Sequence, residues 1–436
     1  VNLESWGGLL SDQPVLSPQW RHEALPKSPA EGLTFLPYGL GRSYGDSCLN
    51  EGGVAILGRR LDRLIHLDEV SDELHCEAGV VLKDLVEWAL PRGYFLPVSP
   101  GTQFVTVGGA IANDVHGKNH HVDGSFGAHL QSLTLLRSDG RRVECSRDQE
   151  AGLFRASIGG LGLTGLIVAA RFRLKRVKGP WMDQEEIKFR SLKEYFALSE
   201  EFKHSPYVVS WLDCLSAKAD GSLKGIFIHG DHAPERGPKV HRADAWINVP
   251  ARLPSWILNR ASIGAFNFAY FAKSLRERRR SRVAYGPFFY PLDAISHWNR
   301  IYGKAGLMQY QCVVPFAAGY ESLREILTTI ARSGQGSFLG VLKNFGSQAP
   351  EGFLSFPRPG VTLALDFKND GARTLALFER LDRLVMDAGG ALYPAKDQRM
   401  GPEIFRASYP MLSRFCEFKD PAFSSSFWRR VCPDVH

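Results

Sequence analysis

Leu96 to Gly127 reads LPVSPGTQFVTVGGAIANDVHGKNHHVDGSFG, and the reading of this stretch decides the fold. Pro100-Gly101 sets a tight turn, Gly108-Gly109 follow a β-branched run, and three histidines and a lysine fall between His116 and His121. Glycines without a Cβ let backbone N–H groups approach phosphate or carbonyl oxygens, and the His/Lys cluster adds cations where negative charge develops. A lone Gly-Gly pair is most often a surface loop. Here a second glycine loop lies upstream, Pro37 to Ser47 (PYGLGRSYGDS), after the short β-like run Leu33 to Leu36. Two such loops on one domain can hold the two ends of a long, flat, phosphate-bearing cofactor.

Working outward, β-like runs occur at Val54–Leu57, Leu64–Leu67 and Glu73–Ala78. Leu82 to Leu90 carries a helical apolar stripe that Pro91 should stop. Leu133–Leu136 and Arg142–Cys145 flank Ser138-Asp139-Gly140 as a hairpin, Glu150–Ser157 suits a short helix, and Leu166–Leu174 reads as a strand. Mixed elements with frequent hairpins predict an α+β fold and not a doubly wound parallel sheet. Gly160 to Gly165 satisfies GxGxxG, but with a helix before it and a strand after it. The dinucleotide fingerprint needs the reverse order, so these glycines read as close backbone packing.

From about Gly179 the glycine loops stop and aromatics become frequent. Trp256 to Phe271 is aromatic and apolar and runs into Lys273–Arg282, where six cations stand against the single Glu277. That pairing fits an anionic membrane surface or an amphiphile with a phosphate head; a buried helix followed by a solvated charged loop fits the pattern equally. Gln309 and Gln311 share one face of a strand, Val361–Phe367 reads as another strand, and Thr374–Ala388 as a helix ended by Gly389-Gly390.

The formal charge of +7 is concentrated in that basic run, and no nucleic-acid motif accompanies it. Seven scattered cysteines, never in CxxC spacing, indicate neither a disulfide framework nor a thiolate zinc site, so no metal is expected. With no apolar run of bilayer-spanning length and no leader-like start, the expectation is a cytoplasmic protein, with peripheral contact at the inner membrane surface.

GLGRSYGD at 39–46, PGTxxVTVGGAIAxDVHGKNHH at 100–121, GSFGxH at 124–129 and GGxGLTG at 159–165 resemble the flavin domain of the vanillyl-alcohol-oxidase superfamily. QYQ at 309–311, VLK at 341–343, LSFPRPG at 354–360 and YPAKDxR at 393–399 carry the likeness to its decaprenylphosphoryl-ribose oxidase branch. The resemblance implies a PCMH-type FAD-binding domain from residues 1–178, completed by a C-terminal return at 389–436, with a substrate domain at 179–388 inserted between them. By resemblance, Gly39, Leu40, Gly41, Arg42, Ser43, Tyr44 and Gly45, with Thr106, Val107, Gly108 and Gly109, cradle the FAD diphosphate. Gly101, His116, Ile167 and Tyr393 also touch the cofactor. Arg42 stands where many members tether FAD through a His, which implies non-covalent FAD.

The same resemblance makes Lys396, His116, Lys118 and Tyr44 the catalytic group, with Lys396 positioning substrate and taking a proton. Gln309, Gln311 and Lys343, with Lys118 and Lys396, become the sugar or phosphate contacts. The implied reaction is oxidation of the 2'-hydroxyl of a polyprenyl-phospho-β-D-ribose, completed by an NAD(P)H-dependent short-chain reductase. Residues 256–282 would receive the lipid phosphate. On the strand lining the pocket, Thr362 and Ala364 stand where the mycobacterial enzyme has Asn and Cys. The alternatives are an FAD oxidase of a free sugar, alditol or aldonolactone, and a catalytically inactive flavin-fold binding partner at the membrane.

Overall fold

The N-terminal half pairs locally first. Arg142–Ser146 folds back on Leu130–Leu136 through a turn with Gly140 at φ +84°. Leu166–Arg173 joins the other side of Leu130–Leu136, followed by Glu73–Glu77 and Leu64–Asp68, giving a five-stranded sheet that is antiparallel throughout. Helix Leu82–Ala89 buries Leu82, Leu85, Val86 and Ala89 in the same core. It gives way to a 3-10 turn at Leu90–Arg92, because Pro91 has no N–H to continue the ladder. A small parallel sheet, Val15–Leu16, Val54–Leu57 and Phe35–Tyr38, lies beside this unit. The computed structural model describes residues 1–25, 32–234, 247–254, 256–273 and 275–435.

The β-branched run before Gly108 does not continue as a strand. Thr106 caps a short helix, Val107–Ala112, its Oγ1 accepting from Gly109 N at 3.1 Å. Helix Ala151–Ser157 precedes the GxGxxG segment and strand Leu166–Arg173 follows it, the order opposite to a dinucleotide fold.

The second half builds one eight-stranded antiparallel sheet. Its order is Arg278–Ala284, Trp181–Ser191, Ser222–Ala233, Tyr207–Asp213, Gly340–Asn344, Val361–Lys368, Leu307–Val314, Ala391–Leu392. Alternation sets its two faces. Met308, Tyr310, Leu342, Leu363, Leu365 and Phe367 are buried in one core with Leu323, Ile326 and Leu327 of helix Gly319–Ser333 and Leu377, Phe378 and Leu381 of helix Ala372–Asp387. The intervening residues face the other way. After the edge strand Ala391–Leu392 the chain returns to the N-terminal unit: Phe35 N donates to Ala422 O, Ser424 N donates to Phe35 O, and Arg430 pairs with Asp46 at 2.6 Å.

Two expectations change here. Trp256–Phe271 does not hold a buried helix: Asn259 caps Arg260–Ala272, of which only Ile263 and Asn267 are buried. Nor is the basic run a solvated loop. Arg278–Ala284 is the edge strand of the large sheet, and its register sets Arg282 opposite Asp183 and Arg280 opposite Glu185. Arg280 and Arg282 find acidic partners on a strand about a hundred residues earlier, which local sequence does not display. Ser274, inside that run, lies outside the described residues. Among the described residues no helix is long and apolar enough to cross a membrane.

Candidate functional site

A cavity of about 990 Å³ lies between the two glycine loops and the open face of the large sheet. That volume is at the upper end of the range for small-molecule sites, roughly 300–1,000 Å³.

One wall is backbone. Gly39, Leu40, Gly41, Arg42, Ser43 and Tyr44 line it. Among the described residues, the N–H groups of Gly39, Leu40, Gly41 and Arg42 find no protein acceptor. Four consecutive unpartnered amides beside a cavity suit an anionic ligand, since orphaned backbone donors are costly unless a ligand or water accepts from them. Gly41 at φ +62° lets the loop turn there; a Cβ would sit 2.2 Å from the Tyr38 hydroxyl. Gly101 also lines the cavity, and no protein atom lies within 4 Å of where its Cβ would project. A side chain there would project into the open space at the cavity. Arg42 Nε donates to Phe104 O at 3.2 Å, and its guanidinium lies 4.3 Å from the Trp6 ring centroid and 5.4 Å from that of Phe104.

The second glycine segment works differently from its reading in sequence. Val107 N donates to Val80 O, Gly108 N to Ala78 O and Gly109 N to the Thr106 hydroxyl. These amides are therefore taken, because the segment adds to the chain at Ala78–Val81 before it turns helical. Thr106, Gly108 and Gly109 line the cavity through close approach. Val107 does not line it and is fully buried in the core. Gly45 does not line it either: it lies tight against Asp397 O, where a Cβ would clash. Ile167 and Tyr393 do line the cavity.

The other wall is side chains. Strands Leu307–Val314, Gly340–Asn344 and Val361–Lys368 present Gln309, Gln311, Val341, Lys343, Thr362, Ala364 and Asp366 on one face, and all line the cavity. The His116–Lys118 segment meets this face. Lys343 Nζ donates to His116 Nδ1 at 2.7 Å and to Gly117 O, and the Gln311 amide meets His116 Nε2 at 3.0 Å. Lys118 Nζ donates to Phe288 O. Lys396, on the 3-10 turn Pro394–Lys396, places Nζ 3.9 Å from the Tyr44 ring centroid. Gln309 Nε2 donates to Asp366 Oδ1.

Desolvation dominates the electrostatics of this wall. Burial pushes Lys118 down to about 7, and burial with the neighbouring charge of Lys118 pushes Lys343 down to about 7. Burial, then Lys343, holds the His116 imidazole well below its ordinary value. Lys396 falls below the usual lysine range through burial, opposed by the Asp366 carboxylate, while burial raises Asp366. A cluster of amines that lose their protons near neutrality beside an acid that is slow to ionise is equipped for proton transfer and for binding hydroxyls.

The structure thus gathers Lys396, His116, Lys118, Tyr44, Gln309, Gln311 and Lys343 in one place. Sequence reading missed Asp366, although Thr362, Ala364 and Asp366 share a strand face and period-two alternation would have found it. It also missed Trp211 and Asp293, which line the cavity but carry no local signature. The basic strand, by contrast, does not line the cavity: among the described residues none from 273 to 288 lines it, whereas Ile257, Leu258, Ser262, Ile263, Phe266 and Tyr270 do. Three of its arginines are paired, Arg282 with Asp183 at 2.7 Å, Arg280 with Glu185 at 3.4 Å and Arg278 with Glu201 at 3.4 Å.

Residues 23–146 match the FAD binding domain family. The chain is 37% identical over 421 residues to decaprenylphosphoryl-β-D-ribose oxidase of Mycolicibacterium smegmatis, covering 92% of this chain and 89% of that protein. It is 29% identical over 198 residues to D-arabinono-1,4-lactone oxidase of Eremothecium gossypii, covering 43% of this chain and 37% of that one. To mouse L-gulonolactone oxidase it is 31% identical over 132 residues, covering 30% and 29%. The two lactone oxidases match less than half of the chain, whereas the first relative extends across both walls of the cavity.

Proposed function

The chain belongs to the decaprenylphosphoryl-β-D-ribose oxidase family of FAD-dependent oxidoreductases, and from that premise we propose that it oxidises the 2'-hydroxyl of a polyprenyl-phospho-β-D-ribose to the 2'-keto sugar. The observation that carries the proposal is the grading of one cavity. Unpartnered amides lie at one end, amines and amides in the middle, and the apolar side chains of Ile257, Leu258, Ile263, Phe266, Phe338 and Leu339 on a further side. A cofactor with a diphosphate, a sugar and a prenyl chain need those three environments in one continuous space.

When bound, FAD supplies the two-electron acceptor for the hydride leaving the carbinol carbon. The protein's part is binding, orientation and proton handling. The amides of Gly39–Arg42 would hold the diphosphate, and Arg42, stacked on Trp6, stands where a tethering His would be needed, so FAD would be held without a covalent link. Lys396 as free amine takes the hydroxyl proton, its basicity set by burial against Asp366. Gln309, Gln311 and Lys343 orient the sugar, while His116, held between Lys343 and Gln311, packs that group against Tyr393. The 2'-keto product then requires an NAD(P)H-dependent reductase to complete conversion to the arabinose form. On this reading the chain divides into 1–178, 179–388 and 389–436, although Ala391–Leu392, inside the last of these, still pairs with Leu307–Val314 of the large sheet.

Anaerobic mixing of the FAD-loaded protein with lipid-phospho-ribose should bleach the flavin, and free pentoses, alditols and aldonolactones should not. Lys396→Ala should keep FAD and slow the bleaching by about 10²–10⁴-fold, the usual worth of a general base. Full speed in that variant removes Lys396 from the chemistry. Bleaching by free sugars alone favours the soluble-substrate oxidase, and no bleaching by any sugar favours the inactive binding partner.

A further inference from the structure

We propose that helix Arg260–Ala272 lies flat in a lipid bilayer surface and brings the apolar side of the cavity to it. The proposal rests on the lipid-linked substrate reading above and assigns the surface through which that substrate arrives.

The helix has two unlike sides. Ser262, Ile263, Phe266 and Tyr270 line the cavity, and Asn267 anchors the helix to the body by donating to Asp213 at 2.7 Å. The outward stripe is Ala261, Ala265, Phe268, Ala269 and Ala272, all exposed, without one charged or hydrogen-bonding side chain. A surface helix in water ordinarily turns its polar residues outward. Three bulky side chains project beside this stripe: Trp256 is 74% exposed, Phe268 68% and Leu275 97%. A protein partner would need matching holes for such knobs, whereas acyl chains pack around any shape.

Charge supports the same occupant. No Asp or Glu occurs from Ala245 to Arg276, while Arg252 and Arg260 precede the stripe and Lys273 and Arg276 follow it. Arg252 and Lys273 are held by Glu4 at 3.1 Å and Glu186 at 3.2 Å, and Arg260 heads the stripe, a placement that suits the phosphate level of a membrane with Trp256 at the interface. Thirteen residues span about 20 Å, too short to cross a bilayer but long enough to lie along it. Phe266, half-exposed and also lining the cavity, marks the lip between lipid and site. Arg278, Arg280 and Arg282 of the neighbouring strand are paired with Glu201, Glu185 and Asp183, so insertion more than bulk charge should drive binding.

The test is co-sedimentation of the FAD-loaded protein with phosphatidylcholine vesicles, with and without phosphatidylglycerol. Wild type should bind both, more tightly to the anionic mixture, with only a few-fold loss at high salt. Phe268→Asp, and separately Trp256→Ser with Leu275→Ser, should each lower partitioning by about tenfold or more. Both should keep FAD, melting temperature and flavin reduction by detergent-dispersed lipid-phospho-ribose. Wild type that ignores both vesicles overturns the proposal, as does unchanged binding by Phe268→Asp. A wild-type dimer that Phe268→Asp converts to monomer also overturns it, since a second copy would then cover the face. Flavin reduction in detergent reports on the substrate reading alone, so the two ideas fail separately.

Discussion

The two walls of the cavity are built from different material. The N-terminal wall offers main-chain N–H groups, glycines and stacked rings, with Arg42 its one cation. The sheet wall is almost all side-chain function: Gln309, Gln311, Lys343, Asp366 and, beside them, His116, Lys118 and Lys396. Backbone donors carry no proton that titrates, so the first wall can hold an anion at any ordinary pH. Buried amines and a buried acid respond to each other and to pH, so the second wall can change its charge during a reaction. Binding and chemistry are thereby separated in space.

That separation can be broken at its two poles. Gly101→Val places a branched side chain in space free of protein atoms, so cofactor affinity should fall by about a hundredfold or more while the apo-protein's melting temperature barely moves. Flavin absorbance of the purified variant, followed by FAD titration, checks this; undiminished FAD content would show that Gly101 does not face the cofactor. Lys396→Ala is the mirror case on the other wall, losing turnover and keeping FAD.

Asp366→Asn sharpens the contrast within the chemical wall. The carboxylate supports the protonated form of Lys396, so its removal should lower the lysine further and move the rising limb of the pH–rate profile to lower pH. A limb that stays in place would separate Asp366 from the proton transfer.

Lys343 gives a smaller effect, on stability. Folded, it titrates near 7, and unfolded near the ordinary value of about 10.4. Between those values the unfolded chain binds the extra proton, so stability from this group is lowest below about pH 7 and rises as pH increases. Lys343→Met should flatten the rise of melting temperature from neutral to alkaline pH; an unaltered slope would place the charge in contact with water.

Smallest of all is Arg280→Ala. Its charge is paired with Glu185 on an edge strand away from the cavity, so flavin reduction should change by less than about twofold, in keeping with the low worth of exposed ion pairs. A large loss would return the basic strand to the substrate path.

Much of the fold follows from short-range patterns. The hairpin at Leu130–Ser146, the helix stopped before Pro91, the strand at Val361–Lys368 and the first glycine loop all answer to signals within ten residues. Gln309 and Gln311 share the face their alternation implies. The second glycine segment was misjudged because the acceptors for its amides, Ala78 and Val80, lie nearly thirty residues upstream. The basic run was misjudged for the same reason, since its acidic partners sit on strands and helices about a hundred residues away.

By itself, then, the amino-acid order determined local conformation, the kind of cofactor loop and the residue types available for chemistry, because turn geometry and side-chain period act between near neighbours. Only the tertiary structure decided which amides remain unpartnered, that Asp366 stands with Lys396, and that the aromatic half of residues 256–282 meets the cavity while Arg278, Arg280 and Arg282 of the basic half are paired at a sheet edge. Those outcomes depend on register between distant strands and on burial, which set hydrogen bonding and proton affinity and have no expression within a ten-residue window.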